Sequence, residues 1–179
     1  MEGYKDNSGF NAVFGSSGGS SPSPTIYRDF GSFFSSVVQT PVPSTSNLVA
    51  LELLVLSNGI SSAPDGTITF THEGYYMIEV TYQVGHLGTI GSDYAWFWLW
   101  YNGANYPLTA RQIEIKPSQQ QFSIVTLQYM VRITDPTTDT INLIWDATST
   151  DVILDYISNP ISSGYPDQAS VICNVYQIS

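Results

Sequence analysis

The sequence predicts an all-β fold, a two-sheet antiparallel jelly-roll sandwich preceded by an extended arm, and three observations carry that expectation. Across residues 74–84, Tyr76, Ile78, Val80, Tyr82 and Val84 alternate with Met77, Glu79, Thr81 and Gln83, the period of a strand with one buried face. Asn102-Gly103 lies between two apolar runs, the strongest short-range signal for a tight hairpin. No long stretch carries a helical period free of Gly and Pro breakers, so no helix beyond a single turn is expected.

From Asp29 onward, strands are expected at 30–40, 47–56, 67–71, 75–84, 94–101, 106–115, 122–133, 140–146, 152–156 and 169–178. Between them, Thr40-Pro-Val-Pro-Ser44, Ala63-Pro-Asp-Gly66, Asp135-Pro136 and the run Ser158 to Pro166 carry turn and loop chemistry. Val125, Leu127, Tyr129, Val131 and Ile133 keep the strand period, and Ile141, Leu143 and Trp145 are expected to point inward against Asn142 and Ile144. So many short antiparallel strands in one chain suit a sandwich or jelly roll.

Composition bounds the function. The 179 residues are 42% hydrophobic, enough for one domain with a sizeable core. Only 11% are charged, against about 25% in an average globular protein. The surface is therefore polar and uncharged, or it is buried against other copies of the chain. Fifteen acidic residues against five basic ones give a net charge of −10, which argues against a phosphate backbone as partner. Cys173 stands alone in an apolar run and is expected to be a small core residue. Glu2, Lys5 and Asp6 are followed by no apolar segment, so no secretory signal is expected. No apolar run approaches the roughly 20 residues of a membrane span, and no membrane insertion is expected.

Residues 1–27 differ from 28–179. Asn7-Ser-Gly9 and the Gly/Ser/Pro run from Gly15 to Pro24 bury too little apolar surface to offset their own ordering entropy. By composition this is a flexible, extended arm. Tyr4, Phe10, Val13 and Phe14 interrupt its polarity and are the expected anchors for docking into a partner or a neighbouring subunit.

The order of Asn58-Gly-Ile60, Ile68-Thr-Phe70, Gly74-Tyr-Tyr76, Trp98-Leu-Trp-Tyr-Asn-Gly103, Asp139-Thr-Ile-Asn-Leu-Ile-Trp145 and Ala169-Ser-Val-Ile172 resembles the jelly roll of the complement-1q and tumour-necrosis-factor superfamily. The version it looks most like is that of virion structural proteins in tailed bacteriophages and other large DNA viruses, which the opening Gly31-Ser-Phe-Phe-Ser35 with Gln39 also fits. The resemblance spans residues 30–179. In one departure, Asp135-Pro-Thr-Thr-Asp139 stands where the family often has Ala-Gly-Asp, which puts that turn in question.

The resemblance implies a homotrimer. Trp96, Trp98 and Trp100 alternate with Ala95, Phe97, Leu99 and Tyr101, so both faces of that strand are apolar, as a strand facing water would not be. Trp96, Trp98, Trp100 and Tyr82 are the expected trimer interface, with burial under a covering loop the alternative for the strand. As a virion component, the chain would be fastened to the major capsid protein or another virion protein by its arm, as a decoration or fibre-type head. The alternative is a receptor- or glycan-binding adhesin head, with surface Tyr and Trp as stacking platforms. A secreted cytokine-like ligand fits less well, because no disulfide is available.

No enzyme and no cofactor are expected. His72 and His86 flank opposite ends of one strand and lack further ligands at zinc spacing. Asp146, Asp151 and Asp155, with Thr148, Ser149 and Thr150, offer oxygen ligands of the kind calcium takes, but without EF-hand spacing. Gly15-Ser-Ser-Gly-Gly19 has neither the Lys nor the helix of a phosphate-binding loop. Glu73 and Glu79 form no pair at a separation readable from sequence.

Overall fold

The computed structural model describes residues 28–89, 91–117, 122–159 and 164–179. The arm, and with it Tyr4, Phe10, Val13 and Phe14, lies outside the described residues. Among the described residues, thirteen strands run in the order β1 (Phe30–Ser35), β2 (Asn47–Leu48), β3 (Leu53–Asn58), β4 (Ile60–Ser62), β5 (Ile68–Phe70), β6 (Gly74–His86), β7 (Asp93–Tyr101), β8 (Ala104–Asn105), β9 (Arg111–Ile115), β10 (Ser123–Ile133), β11 (Thr140–Ala147), β12 (Val152–Leu154) and β13 (Val171–Gln177). They form two antiparallel sheets. The first has the order β10-β6-β13-β1-β3, with β12 also on β6; the second has β4-β5-β11-β7-β8, with β2 on β11 and β9 on β7.

The sheets pack face to face through the alternating side chains that the sequence marks. Tyr76, Ile78, Val80, Tyr82 and Val84 are all fully buried. Ring contacts bridge the sheets: Tyr82 of β6 meets Phe97 of β7 with centroids 4.3 Å apart, and Phe70 of β5 meets Tyr76 of β6 at 4.6 Å. Trp145 stacks on Phe97 within the second sheet, and truncating an aromatic in such a core costs about 3–5 kcal/mol. Cys173 is buried in this core, where burial pushes its thiol up to about 12.

Two expectations change. The strand expected at 47–56 divides, because Val49 and Leu51 turn into the core while the Gln39 side chain takes over the backbone pairing at Ala50, accepting its N–H at 2.9 Å and donating to its carbonyl at 3.2 Å. Beyond that point β3 is the exposed edge of the first sheet. The strand expected at 106–115 likewise divides, because Leu108 adopts φ 62°, where no residue continues a strand. Asn142 and Ile144 keep the face opposite Ile141, Leu143 and Trp145, as expected, and are buried there in register with Trp100 and Trp98.

The questioned turn is well formed. Asp139 N–H donates to the Asp135 carbonyl at 2.8 Å, and the Asp135 carboxylate accepts from Thr137 N–H at 3.0 Å. At the same end of the first sheet, where Ile133 pairs with Gly74, Asp29 is a buried carboxylate that faces His72 Nδ1 at 2.9 Å and accepts from the Tyr76 hydroxyl at 3.0 Å.

Candidate functional site: an aromatic groove and an apolar sheet face

On β7, Ala95, Phe97 and Leu99 point into the core, which leaves Tyr94, Trp96, Trp98 and Trp100 on the outer face of the second sheet. The three indoles share that face, half-buried. Tyr82 does not join them. It is 0% exposed within a single chain, so the expectation that it contributes to a contact between chains is corrected: it belongs to the core of the chain itself.

The Asn102-Gly103 turn builds the site. Both residues have positive φ, 50° and 76°, the geometry that matches strand twist in a two-residue hairpin. The turn pairs Trp100 with Asn105. Asn105 Oδ1 then accepts both the Trp98 and the Trp100 indole N–H, each at 2.8 Å. One amide oxygen fixes two rings.

The following loop is pinned as well. Thr109 Oγ1 donates to the Tyr106 carbonyl at 2.8 Å and accepts the Leu99 N–H at 3.2 Å. Arg111 Nη1 donates to the carbonyls of Ala110 at 2.8 Å and Leu108 at 3.3 Å. Together the strand and loop enclose a groove of about 410 Å³ lined by Trp96, Trp98, Asn105, Tyr106, Pro107, Leu108, Ala110 and Asp146. The Asp146 carboxylate is oriented through Oδ1, which accepts the N–H groups of Ala147 at 2.7 Å and Thr45 at 3.3 Å.

The remaining acidic and imidazole candidates separate. Asp146 lines the groove, whereas Asp151 stands beside Gly88 and Asp155 against Gly85. Among the described residues, no group of three or more His, Cys, Asp and Glu is placed to hold a metal ion. His86 Nε2 faces Asp93 at 2.9 Å, and Nδ1 faces the Gly88 carbonyl at 3.1 Å. The Thr148 hydroxyl on its other oxygen, ahead of His86, holds the Asp93 carboxyl below its usual range against the effect of burial. His72 is paired with Asp29 instead.

A second surface covers the outer face of the first sheet. Register places Met130, Met77, Tyr176 and Phe30 in one row across β10, β6, β13 and β1. The next outward row is polar: Gln128 donates to Glu79 and Ser32 donates to Asn174. A third row runs from Thr126 and Thr81 to Ile172, Phe34 and Leu53. Along the free edge, Leu53, Leu54, Val55 and Leu56 are all exposed, the last three by 59–61%. The sequence reading missed this surface because it took 47–56 as one strand. It also missed Asn105, although hairpin register alone puts residue 105 opposite Trp100.

No protein-family model matches this chain, and no curated protein does. Among solved structures, it is similar to crystal structures of murine APRIL at pH 8.0, with TM-score 0.52 and 7% identity, and at pH 8.5, with TM-score 0.50 and 8% identity. Each comparison covers 85% of this chain and 100% of the other. At that identity the likeness shows the fold, a tumour-necrosis-factor-like jelly roll of two antiparallel sheets.

Proposed function

We propose that the chain is a virion structural protein: a trimeric capsid-decoration or fibre-type head, fastened by residues 1–27 to a capsid or other virion protein. The observation that carries self-association is the apolar outer face of the first sheet together with its edge. Scattered exposed apolar residues are ordinary, whereas two apolar rows, Met130 to Phe30 and Ile172 to Leu53, on either side of a polar row and beside four consecutive exposed apolar residues on an edge unpaired among the described residues, make a surface suited to other copies. The interface then moves from Trp96, Trp98 and Trp100 to Tyr176, Phe30 and β3, and the indoles face outward. The virion placement is supported by the family resemblance of residues 30–179 and by the anchor-bearing composition of the arm.

Light scattering on the full chain tests the assembly. The expected mass at micromolar concentration is three times 19.7 kDa. Tyr176→Glu, on the outer face, is expected to release monomers with an unchanged far-ultraviolet spectrum, while Trp100→Ala leaves the trimer intact. A monomeric wild-type protein overturns the proposal, and dissociation by Trp100→Ala alone returns the interface to the indole face. Electron cryo-microscopy of the particle tests the placement.

A second reading, a receptor- or glycan-binding head, is favoured by the groove at Trp96 and Trp98.

A further inference from the structure

Leu108 has two unfavourable properties at once. It is 95% exposed, and it sits at φ 62°, a region that bulky L-residues avoid. Nothing in the packing of one chain requires an apolar side chain there. Yet the loop is held in that shape by Thr109 and Arg111, and Leu108 forms one wall of the groove whose other side is Trp96 and Trp98.

The opposite wall is equally prepared. The Trp98 edge is fixed by Asn105, so its ring does not need to be ordered when something stacks on it. Asn105 spends its carbonyl oxygen on the two indoles, which leaves the amide Nδ2 as a donor at the groove. Asp146 spends Oδ1 on two backbone N–H groups, which leaves Oδ2 as an acceptor. The site thus offers apolar ring faces, a leucine wall, one neutral donor and one anionic acceptor. That pattern matches a pyranose ring, whose C–H face packs on an aromatic plane while its hydroxyls both donate and accept.

We propose that this groove binds a hexopyranose unit of a neutral glycan. Neutrality follows from charge: among the described residues Asp146 is the one charged residue lining the groove, and the chain carries −10 overall, so sulfated or carboxylated sugars are repelled. The inference rests on the second reading above and names its ligand class. It does not depend on the trimer, because every lining residue comes from one subunit.

The test uses the full chain with methyl β-D-galactopyranoside, methyl α-D-glucopyranoside and methyl α-D-mannopyranoside as probes, read by saturation-transfer NMR and indole fluorescence. At least one probe is expected to bind with a Kd of about millimolar, since a single small ring offers few contacts. Trp96→Ala and Asp146→Ala are each expected to weaken it about tenfold, the effect of losing one good contact. Leu108→Gly is the variant that cannot fail by unfolding, because glycine adopts this φ readily and the side chain is exposed; it too is expected to weaken binding. Galactose 6-sulfate is expected to bind only after Asp146→Asn. No saturation transfer from any neutral probe overturns the proposal, as does binding unchanged in both Trp96→Ala and Leu108→Gly. Light scattering on each variant keeps the outcomes separate: sugar binding by a monomer refutes the trimer and leaves the groove standing.

Discussion

Asp139 shows how much one side chain organises. Its carboxylate accepts the Asn102 amide at 3.0 Å and the N–H groups of Thr134 at 2.8 Å and Asp135 at 2.9 Å, while Asn102 Oδ1 accepts the Thr140 N–H at 2.7 Å. The turn that carries Asn105 is thereby tied to the turn before β11. Burial pushes the Asp139 carboxyl up, but the Tyr101 hydroxyl and these donors outweigh it and hold it well below the ordinary 3.8. The folded state thus favours the ionised form. Its contribution is fully present above the ordinary carboxylate value and is lost as pH falls through 3.8 toward the lower folded value. Asp139→Asn is expected to cost about 1–3 kcal/mol near neutrality, the penalty for leaving buried donors with a poorer acceptor. In urea denaturation the gap between wild type and variant should narrow at about pH 3. An equal gap at both pH values would refute the ionic assignment. Tyr82 carries a different lesson. Its alternation shows that it faces inward, but a period of two does not say whether the apolar partner belongs to the same chain or to another. Only the 4.3 Å approach of Phe97 answers that.

At the scale of elements, what was legible was what local chemistry decides. The long strands β6, β7, β10 and β11 follow from alternation, and the β7–β8 hairpin follows from Asn102-Gly103. Gly103 has φ 76° with open space around its Cα, so backbone conformation alone decides which residues it accepts. Gly103→Ala is expected to cost about 1–2 kcal/mol, the penalty of a left-handed L-residue, measured as a lower chemical-denaturation midpoint with an unchanged slope. No loss of stability would show that the turn has switched type. What was not legible depends on partners distant in sequence or on conformations the residue type disfavours. Gln39 substitutes for a strand at Ala50 through its side chain, and nothing in the run 47–56 announces it. Leu108 at positive φ breaks the run 106–115, although leucine gives no hint of a turn. β4 is short and mostly polar and becomes visible only through its pairing with β5.

For the whole molecule, the jelly roll was readable from strand number and order, and the sequence resemblance agrees with the fold likeness. The groove was half legible: Trp96, Trp98 and Trp100 were singled out as an interface, with surface Trp and Tyr as stacking platforms in the alternative, because composition alone does not distinguish a surface that meets another copy from one that meets a ligand. In the proposed reading the two sheets divide these tasks, the first with apolar rows for other copies and the second with a narrow polar-rimmed groove for a ligand.

In the proposed assembly, attachment falls to the arm. Tyr4, Phe10, Val13 and Phe14 space apolar anchors along a Gly/Ser/Pro background, a composition suited to ordering only against another protein, where the entropy lost on docking is offset by the aromatic contacts. Deleting residues 1–27 removes no strand and no core residue among those described. The truncated chain is therefore expected to keep a light-scattering mass of three chains and a melting temperature within about 2 °C of the full chain's, a shift that corresponds to about 0.5–1 kcal/mol. Its incorporation into particles is expected to be lost, as measured by immunoblot of purified virions, with Phe10→Ala and Phe14→Ala the most damaging single changes. Normal incorporation of the truncated protein would relocate the attachment surface to the jelly roll itself, and a fall in both trimer mass and melting temperature would instead make the arm part of the subunit interface.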